Sequence, residues 1–427
     1  MKRITILSNF LSYDKKYSLC NVVAEQIRML KRNNYPVKVI VCDGFTPEDP
    51  YTEDILQFIP NVRVYNEIKR DDTWEKDIEE TEKRLYALLK DTDTVLSHDL
   101  IYQPAYFKLN IAARQIAEKL PKLQWLHWIH SATTPMILNS SQDYLDTIKR
   151  RFPRSFVIYP NSFEIPRVAK NMGYEEDQVK VVHHATDPAD FFDFHDITKN
   201  LVEEKNIYSA DVIGCYPLRL DRGKQPEMVI KIFDAIKKLG RSIRLVICDF
   251  HSTGGDKVNY RRELKELAID KGFNPSELTF TSDISAECSH GVPRKVVRDL
   301  MLISNLFILP SRSETYSLVV QEAGLCGNLL LLNYDFPPMR SIYGSAALYS
   351  KFSSNININD GMDGNTDTQY QPNFEAYAHD QALRICYHLD HDRSLAMRTM
   401  LRKKRNPQAI FRNQLEPLFY KDMDKWS

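Results

Sequence analysis

Short apolar runs separated by helix-length segments dominate this chain, and that alternation restricts the fold more than any other feature. Ile4 to Leu7, Val37 to Cys42, Thr94 to Ser97, Leu123 to Ile129, Phe156 to Tyr159 and Val179 to Val182 are short and almost wholly apolar. Runs of this kind suit strands buried on both faces of a parallel sheet, and the amphipathic segments between them suit the crossover helices. The spacing predicts helices over Asn21 to Arg32, Thr73 to Lys90 and Ile165 to Asn171, the last closed by Gly173.

The pattern restarts after the polar stretch His195 to Ser209. Candidate strands are Asp211 to Tyr216, Ile243 to Cys248, Glu277 to Thr281, Leu306 to Leu309 and Asn328 to Leu332. Candidate helices are Pro226 to Leu239, Pro293 to Leu302 and Ser317 to Cys326, with Gly327 as the stop. The expected fold class is therefore α/β, two tandem Rossmann-like, doubly wound parallel-sheet domains facing a central cleft. We expect domains at 1–205 and 206–407, with a C-terminal helix at 408–427 packing back on the first. Ser353 to Asn373 is rich in Asn, Asp and Gly and reads as a surface loop.

At 427 residues, with 43% hydrophobic residues, the chain is long enough for two cores. Its 57 basic and 57 acidic side chains cancel, so any polyanion site must be local. The seven cysteines contain no CxxC pair, which fits reduced thiols in a cytoplasmic compartment. No apolar run reaches the roughly 20 residues that cross a bilayer, and the N-terminus reads as a strand, not a signal peptide. The sequon at Asn139-Ser140-Ser141 is expected to be fortuitous.

Two segments carry candidate chemistry. The first runs from Pro310 to Gly324: Glu314 lies past a strand, Glu322 eight residues on lies in the next helix, and both carboxylates can face one crevice. The amides of Tyr316, Ser317 and Leu318 are expected at the helix tip, where free N–H groups and the helix dipole favour phosphate. The second segment is Leu218 to Glu227, where Arg219 and Lys224 flank a turn containing Gly223 and can converge on one anion. No metal site is expected, because histidines and cysteines lack ligand spacing. Asp91-Thr92-Asp93 matches a metal-binding DxD string but reads as chance before a strand, and GxGxxG and P-loop patterns are absent.

Together the two segments resemble the retaining glycosyltransferases of family 4, whose fold is GT-B and whose E-x7-E motif and Arg/Lys pair hold a nucleotide sugar. Phe156 to Ser162, Lys180 to Asp187 and Phe191-Phe192 are similar to the family's strand-Ser-helix and hinge regions. The resemblance implies that Glu322 binds ribose, Glu314 the transferred sugar, and Arg219 with Lys224 the diphosphate. It also implies a histidine beside the reacting sugar, for which His130, at the end of its apolar run, is preferred over His127. His130, Glu314, Arg219 and Lys224 are thus the candidate catalytic residues. The candidate donor-binding residues are Arg219, Lys224, Glu314, Tyr316, Ser317, Leu318 and Glu322.

Three departures from the family pattern stand out: Ser8 to Tyr17 replaces a glycine-rich loop, Ala185 replaces a hinge glycine, and Ser285 to Gly291 is inserted. The implied activity is transfer of a sugar, with retention of configuration, from a UDP- or GDP-linked donor on the second domain to an acceptor on the first. The acceptor classes are a glycan, a lipid-linked sugar reached peripherally at a membrane through Lys15, Lys16, Arg28, Lys31 and Arg32, or DNA carrying hydroxymethylated bases, as in some viral enzymes of this architecture. For a viral source the compartment is the host cytoplasm. The alternatives are a nucleotide-sugar epimerase and a non-catalytic sugar-nucleotide-binding protein.

Overall fold

A computed structural model describes residues 1–64, 68, 70–130, 142–250, 256–312, 314, 316–352 and 374–423. The sequon Asn139-Ser140-Ser141, the expected loop Ser353 to Asn373, and Ser131, Ser313 and Thr315 lie outside the described residues.

The chain divides into two compact units, one of residues Met1–Thr186 with the segment from Pro407 onward, the other of Asp187–Asn406. Among its described residues the first contains seven strands: β1 (Ile4–Leu7), β2 (Val37–Cys42), β3 (Leu56–Ile59), β4 (Thr94–His98), β5 (Gln124–Trp128), β6 (Ser155–Tyr159) and β7 (Val179–Val181). Their order is β3-β2-β1-β4-β5-β6-β7, and every pairing is parallel. Ile4 of β1 pairs with Val37 on one side and Thr94 on the other. Strands β1, β4, β5 and β6 are buried along their whole length, which is why their sequences run apolar and do not alternate.

Helix Ser18–Arg32 buries Leu19, Val23, Ala24, Ile27 and Leu30, a stripe of helical period facing the sheet. The same core takes in Ile410, Phe411, Leu415, Leu418 and Phe419. Gln124 of β5 donates to the Leu418 carbonyl at 2.7 Å, and Tyr35 to the Glu416 carboxylate at 2.7 Å. Helix Ile165–Met172 ends at Gly173, whose φ of 72° is left-handed. A Cβ at Gly173 would also lie 1.9 Å from the Lys149 carbonyl oxygen. The DxD string has structural duties: Asp93 accepts from the Arg3 amide at 2.7 Å, and Thr92 bonds Thr5 at 2.8 Å.

The second unit contains β8 (Val212–Arg219), β9 (Ile243–Phe250), β10 (Leu278–Phe280), β11 (Leu306–Leu309), β12 (Leu329–Asn333) and β13 (Leu348–Ser350). They run in the order β10-β9-β8-β11-β12-β13 and again pair in parallel. Both sheets reverse their winding in the middle, between β1 and β4 and between β8 and β11, and such switch points open crevices at the strands' carboxyl ends.

The division of the chain falls at Thr186 and Asp187, whereas the composition placed it at 205. Residues 187–205 leave Phe191 and Phe192 exposed beside their polar residues, but Phe194, Leu201 and Val202 are buried in the second unit's core. The fully buried Asp299 carboxylate ties this segment down, accepting from the His195 amide at 2.7 Å and the Thr198 hydroxyl at 3.2 Å. A buried carboxylate is tolerable only with such donors. The stretch read as polar therefore holds a docked helix, Asp196–Glu204.

Candidate functional site

At the switch point of the second sheet the ends of β8 and β11 leave a recess of about 370 Å³. Its lining includes Arg219, Lys224, Phe250, Glu314, Ser317 and Leu318. Strand β8 delivers Arg219 as its last residue. The chain then makes a tight turn over Arg222–Lys224 and enters helix Pro226–Lys238 through Gln225, left-handed at φ 51°. Proline at the first helical position costs no hydrogen bond, because that N–H would be unpaired in any case.

Lys224 makes a salt bridge with Glu314 across the recess. Arg219 is paired at 2.5 Å with Asp221, two residues on, and its side chain is half exposed. Arg222 points away from both, donating to the two Glu263 oxygens at 3.1 and 3.0 Å and stacking on Tyr260. The recess thus holds two cations, each paired with a carboxylate, Lys224 with Glu314 and Arg219 with Asp221, at the carboxyl edge of a parallel sheet. Such a site can take a diphosphate on its cations and a hydroxyl-bearing group on its carboxylate.

The helix after β11 spans Leu318–Leu325, with Ser317 as its cap at φ 60°. The tip is one to two residues later than expected: Leu318 is the first helical residue, while Tyr316 lies before the cap and shares a hydrogen bond with Gln321. A positive φ is uncommon at a residue with a side chain and gathers at sites where the surroundings impose it. Glu322 sits on this helix but pairs with the exposed Arg294 and does not line the recess among the described residues. The structure therefore brings together Arg219, Lys224, Glu314, Ser317 and Leu318, but neither Tyr316 nor Glu322.

His130 lies in the first unit, just past β5, and its amide donates to Asp99 at 3.0 Å. Its ring bonds the His98 ring at 2.9 Å and lies nearly parallel to His184, with centroids 5.4 Å apart. Burial, and secondarily the charge of His184, hold its pKa down to about 3. His127, by contrast, is fully buried inside β5, 2.6 Å from the Ser97 hydroxyl, and has a structural place. His183 is engaged by Gln414 through both its amide and its ring. Sequence reasoning missed His98 and Phe250, each a single residue at a strand end with no periodic partner, and placed His184 only in the hinge segment.

A larger depression, about 420 Å³, lies around β10 and is lined by Leu201, Ile269, Phe273 and Phe280 among others. Its charged members satisfy one another, Lys265 with Asp283 at 2.6 Å and Lys205 with Glu204 at 2.8 Å, so it lacks convergent unsatisfied chemistry. Among the described residues no group of three or more His, Cys, Asp or Glu is placed to hold a metal ion. No helix among them is long and apolar enough to cross a membrane.

Residues 198–347 match the family model described as "Glycosyl transferases group 1". The match covers both the Arg219–Lys224 turn and the Glu314–Glu322 segment, and it supports glycosyl transfer as the class of chemistry. Two tandem Rossmann-like units with parallel, doubly wound sheets are the domains of the GT-B class. No curated protein matches the chain. Similar solved structures include a glycosyltransferase from Rickettsia africae, 14% identical, with all of both chains covered and a TM-score of 0.37. They also include Anabaena Alr3699/HepE in complex with UDP and glucose, 13% identical, covering 99% of this chain and 100% of that one, with a TM-score of 0.36.

Proposed function

We propose that this chain is a retaining glycosyltransferase of the family 4 type, drawing on a UDP- or GDP-linked sugar. The observation that carries the reading is the convergence of Arg219, Lys224 and Glu314 in one recess, at the switch point of a sheet whose segment matches group 1 glycosyl transferases. Arg219 and Lys224 are assigned to the diphosphate, Glu314 to the transferred sugar, Glu322 to the ribose, and Ser317 and Leu318 to the helix tip beside the phosphates. Tyr316 is assigned to the rim of the same site. His130 is taken as the first unit's contribution to the reaction, on the family resemblance.

In the reaction the bond from the anomeric carbon to the diphosphate oxygen breaks. A bond from that carbon to the acceptor oxygen forms on the same face, and the acceptor's proton passes to the leaving phosphate oxygen. The charge that accumulates on the diphosphate is what two cations and helix-tip amides stabilise more in the transition state than in the ground state. The step balances without a metal ion. The acceptor is assigned to the hydroxyl class, a glycan, a lipid-linked sugar or a hydroxymethylated DNA base.

A panel of nucleoside diphosphates should raise the melting temperature of the full chain, since each binds only the folded state. UDP- and GDP-sugars incubated with an acceptor panel should then give a glycoside whose anomeric configuration, read by NMR, matches the donor. An inverted product would overturn the retaining assignment. Epimerised donor in the absence of acceptor would favour the isomerase, and binding without turnover a sensor.

A further inference from the structure

His98 ends β4 and His130 follows β5, its neighbour in the first sheet. Their rings lie within 15° of parallel, and His98 Nδ1 is 2.9 Å from His130 Nε2. Two neutral imidazoles at that distance share one N–H, so one ring donates and the other accepts. The choice is settled by the far side of His98. That residue is 2% exposed, and its Nε2 is buried with no hydrogen-bond partner among the described residues.

If His130 donated, the His98 proton would sit on Nε2 as an orphaned buried N–H, the more costly kind of unpaired group. If His98 donates from Nδ1, its Nε2 is only an under-satisfied acceptor, and no buried N–H is stranded. His130 Nε2 then accepts, and the proton of His130 is forced onto Nδ1. We propose that His98 is a positioning residue that locks His130 in the Nδ1–H tautomer, so that His130 offers a neutral N–H to a substrate oxygen and acts neither as base nor as acid.

Other groups around the ring agree with this assignment. Burial holds both His98 and His130 neutral, and His184, flanking His130, is pushed in the same direction. Asp99, the residue after His98, accepts from the His130 main-chain amide and from the Tyr102 hydroxyl, so that oxygen engages these donors rather than the ring.

The catalytic half of this inference rests on the proposed function, and the tautomer does not. In the full chain labelled with ¹⁵N-histidine, long-range ¹H–¹⁵N correlations near pH 7 should show His130 protonated at Nδ1. A ring protonated at Nε2 overturns the proposal, whatever the activity. His98→Leu should release the constraint, so that His130 spreads over both tautomers and turnover falls by at least about tenfold with donor KM unchanged. His98→Asn, which keeps an N–H near the Nδ1 position, should restore both the tautomer and the turnover. A tautomer that shifts without any change in turnover removes His130 from the reaction and His98 from its positioning role. If His98→Leu does not fold, the wild-type spectrum and His98→Asn alone decide the question.

Discussion

Lys224 and Glu314, ninety residues apart in the chain, meet as an ion pair inside the recess at the end of β8, with side chains 27% and 15% exposed. The pairing neutralises the lysine while no ligand is bound. On the proposed assignment, a diphosphate entering the recess shares Lys224 with Glu314, and the carboxylate that suits a sugar hydroxyl opposes the phosphate beside it.

Replacing Lys224 with alanine should lower turnover at saturating donor by roughly 30-fold. At an effective dielectric near 20 a cation about 4 Å from the departing charge contributes roughly 4 kcal/mol, and about half of that expressed only in the transition state gives this factor. Steady-state transfer kinetics measure it. Near wild-type turnover would remove the electrostatic role.

Glu314→Gln should separate binding from transfer. Losing the carboxylate frees Lys224 and removes like-charge repulsion, so the bare nucleoside diphosphate should bind roughly three- to tenfold more tightly, a gain of about 1 kcal/mol. Sugar transfer should fall in the same variant, because the ionised acceptor for the sugar hydroxyls is gone. Calorimetric titration with the diphosphate checks the first half; weaker binding would mean that Glu314 supports Lys224 rather than competing with it.

Most of the sheet framework was legible because buried parallel strands leave continuous apolar runs, and most of the strands read in the sequence recur within a residue or two. Strand β3, Leu-Gln-Phe-Ile between polar loops, was too short and mixed to stand out. The helix Phe107–Lys119 escaped notice because its buried set includes Lys108, Asn110 and Arg114, polar residues that blur the apolar stripe. The pairing of Arg219 and Lys224 around one recess followed from the turn between them, since five residues with a glycine can bring two side chains to one side. The partner of Glu322 could not follow from its own segment: Arg294 comes from the preceding helix, and an E-x7-E spacing says nothing about it.

Gly214 lies in β8 because a side chain has no room there. A Cβ would come 2.5 Å from the ring of the fully buried Phe233 and 3.4 Å from Leu245. Gly214→Ala should cost about 1–3 kcal/mol of stability through overpacking. Urea denaturation measures this, and donor affinity of the molecules that remain folded should be little changed, since Gly214 is five residues from Arg219 and outside the recess lining. Stability equal to wild type would mean that Phe233 moves aside at no cost.

Asp99 gives the first unit an opposite dependence on pH from that of its buried histidines. Burial raises its carboxyl to about 6 from an ordinary 3.8, against the hydrogen bonds from His130 and Tyr102 that favour the anion. Because the folded state holds this proton more tightly than the unfolded chain, Asp99 contributes full stability below about pH 4 and loses it as pH rises through 6. Asparagine accepts the same two hydrogen bonds, never ionises, and tolerates the left-handed φ of 55° at this position. Asp99→Asn should therefore stabilise the protein at pH 7 by up to ~3 kcal/mol, with the gain shrinking to nearly nothing by about pH 4. His98, His127 and His130, all held below the ordinary imidazole value, act the other way, taking stability from both proteins as pH falls below about 6.5. They cancel in the difference between variant and wild type. Urea midpoints for the two proteins across pH 4 to 8 isolate Asp99, and a difference that stays constant over that range would show that its carboxyl is ionised as readily in the folded protein as in the unfolded chain.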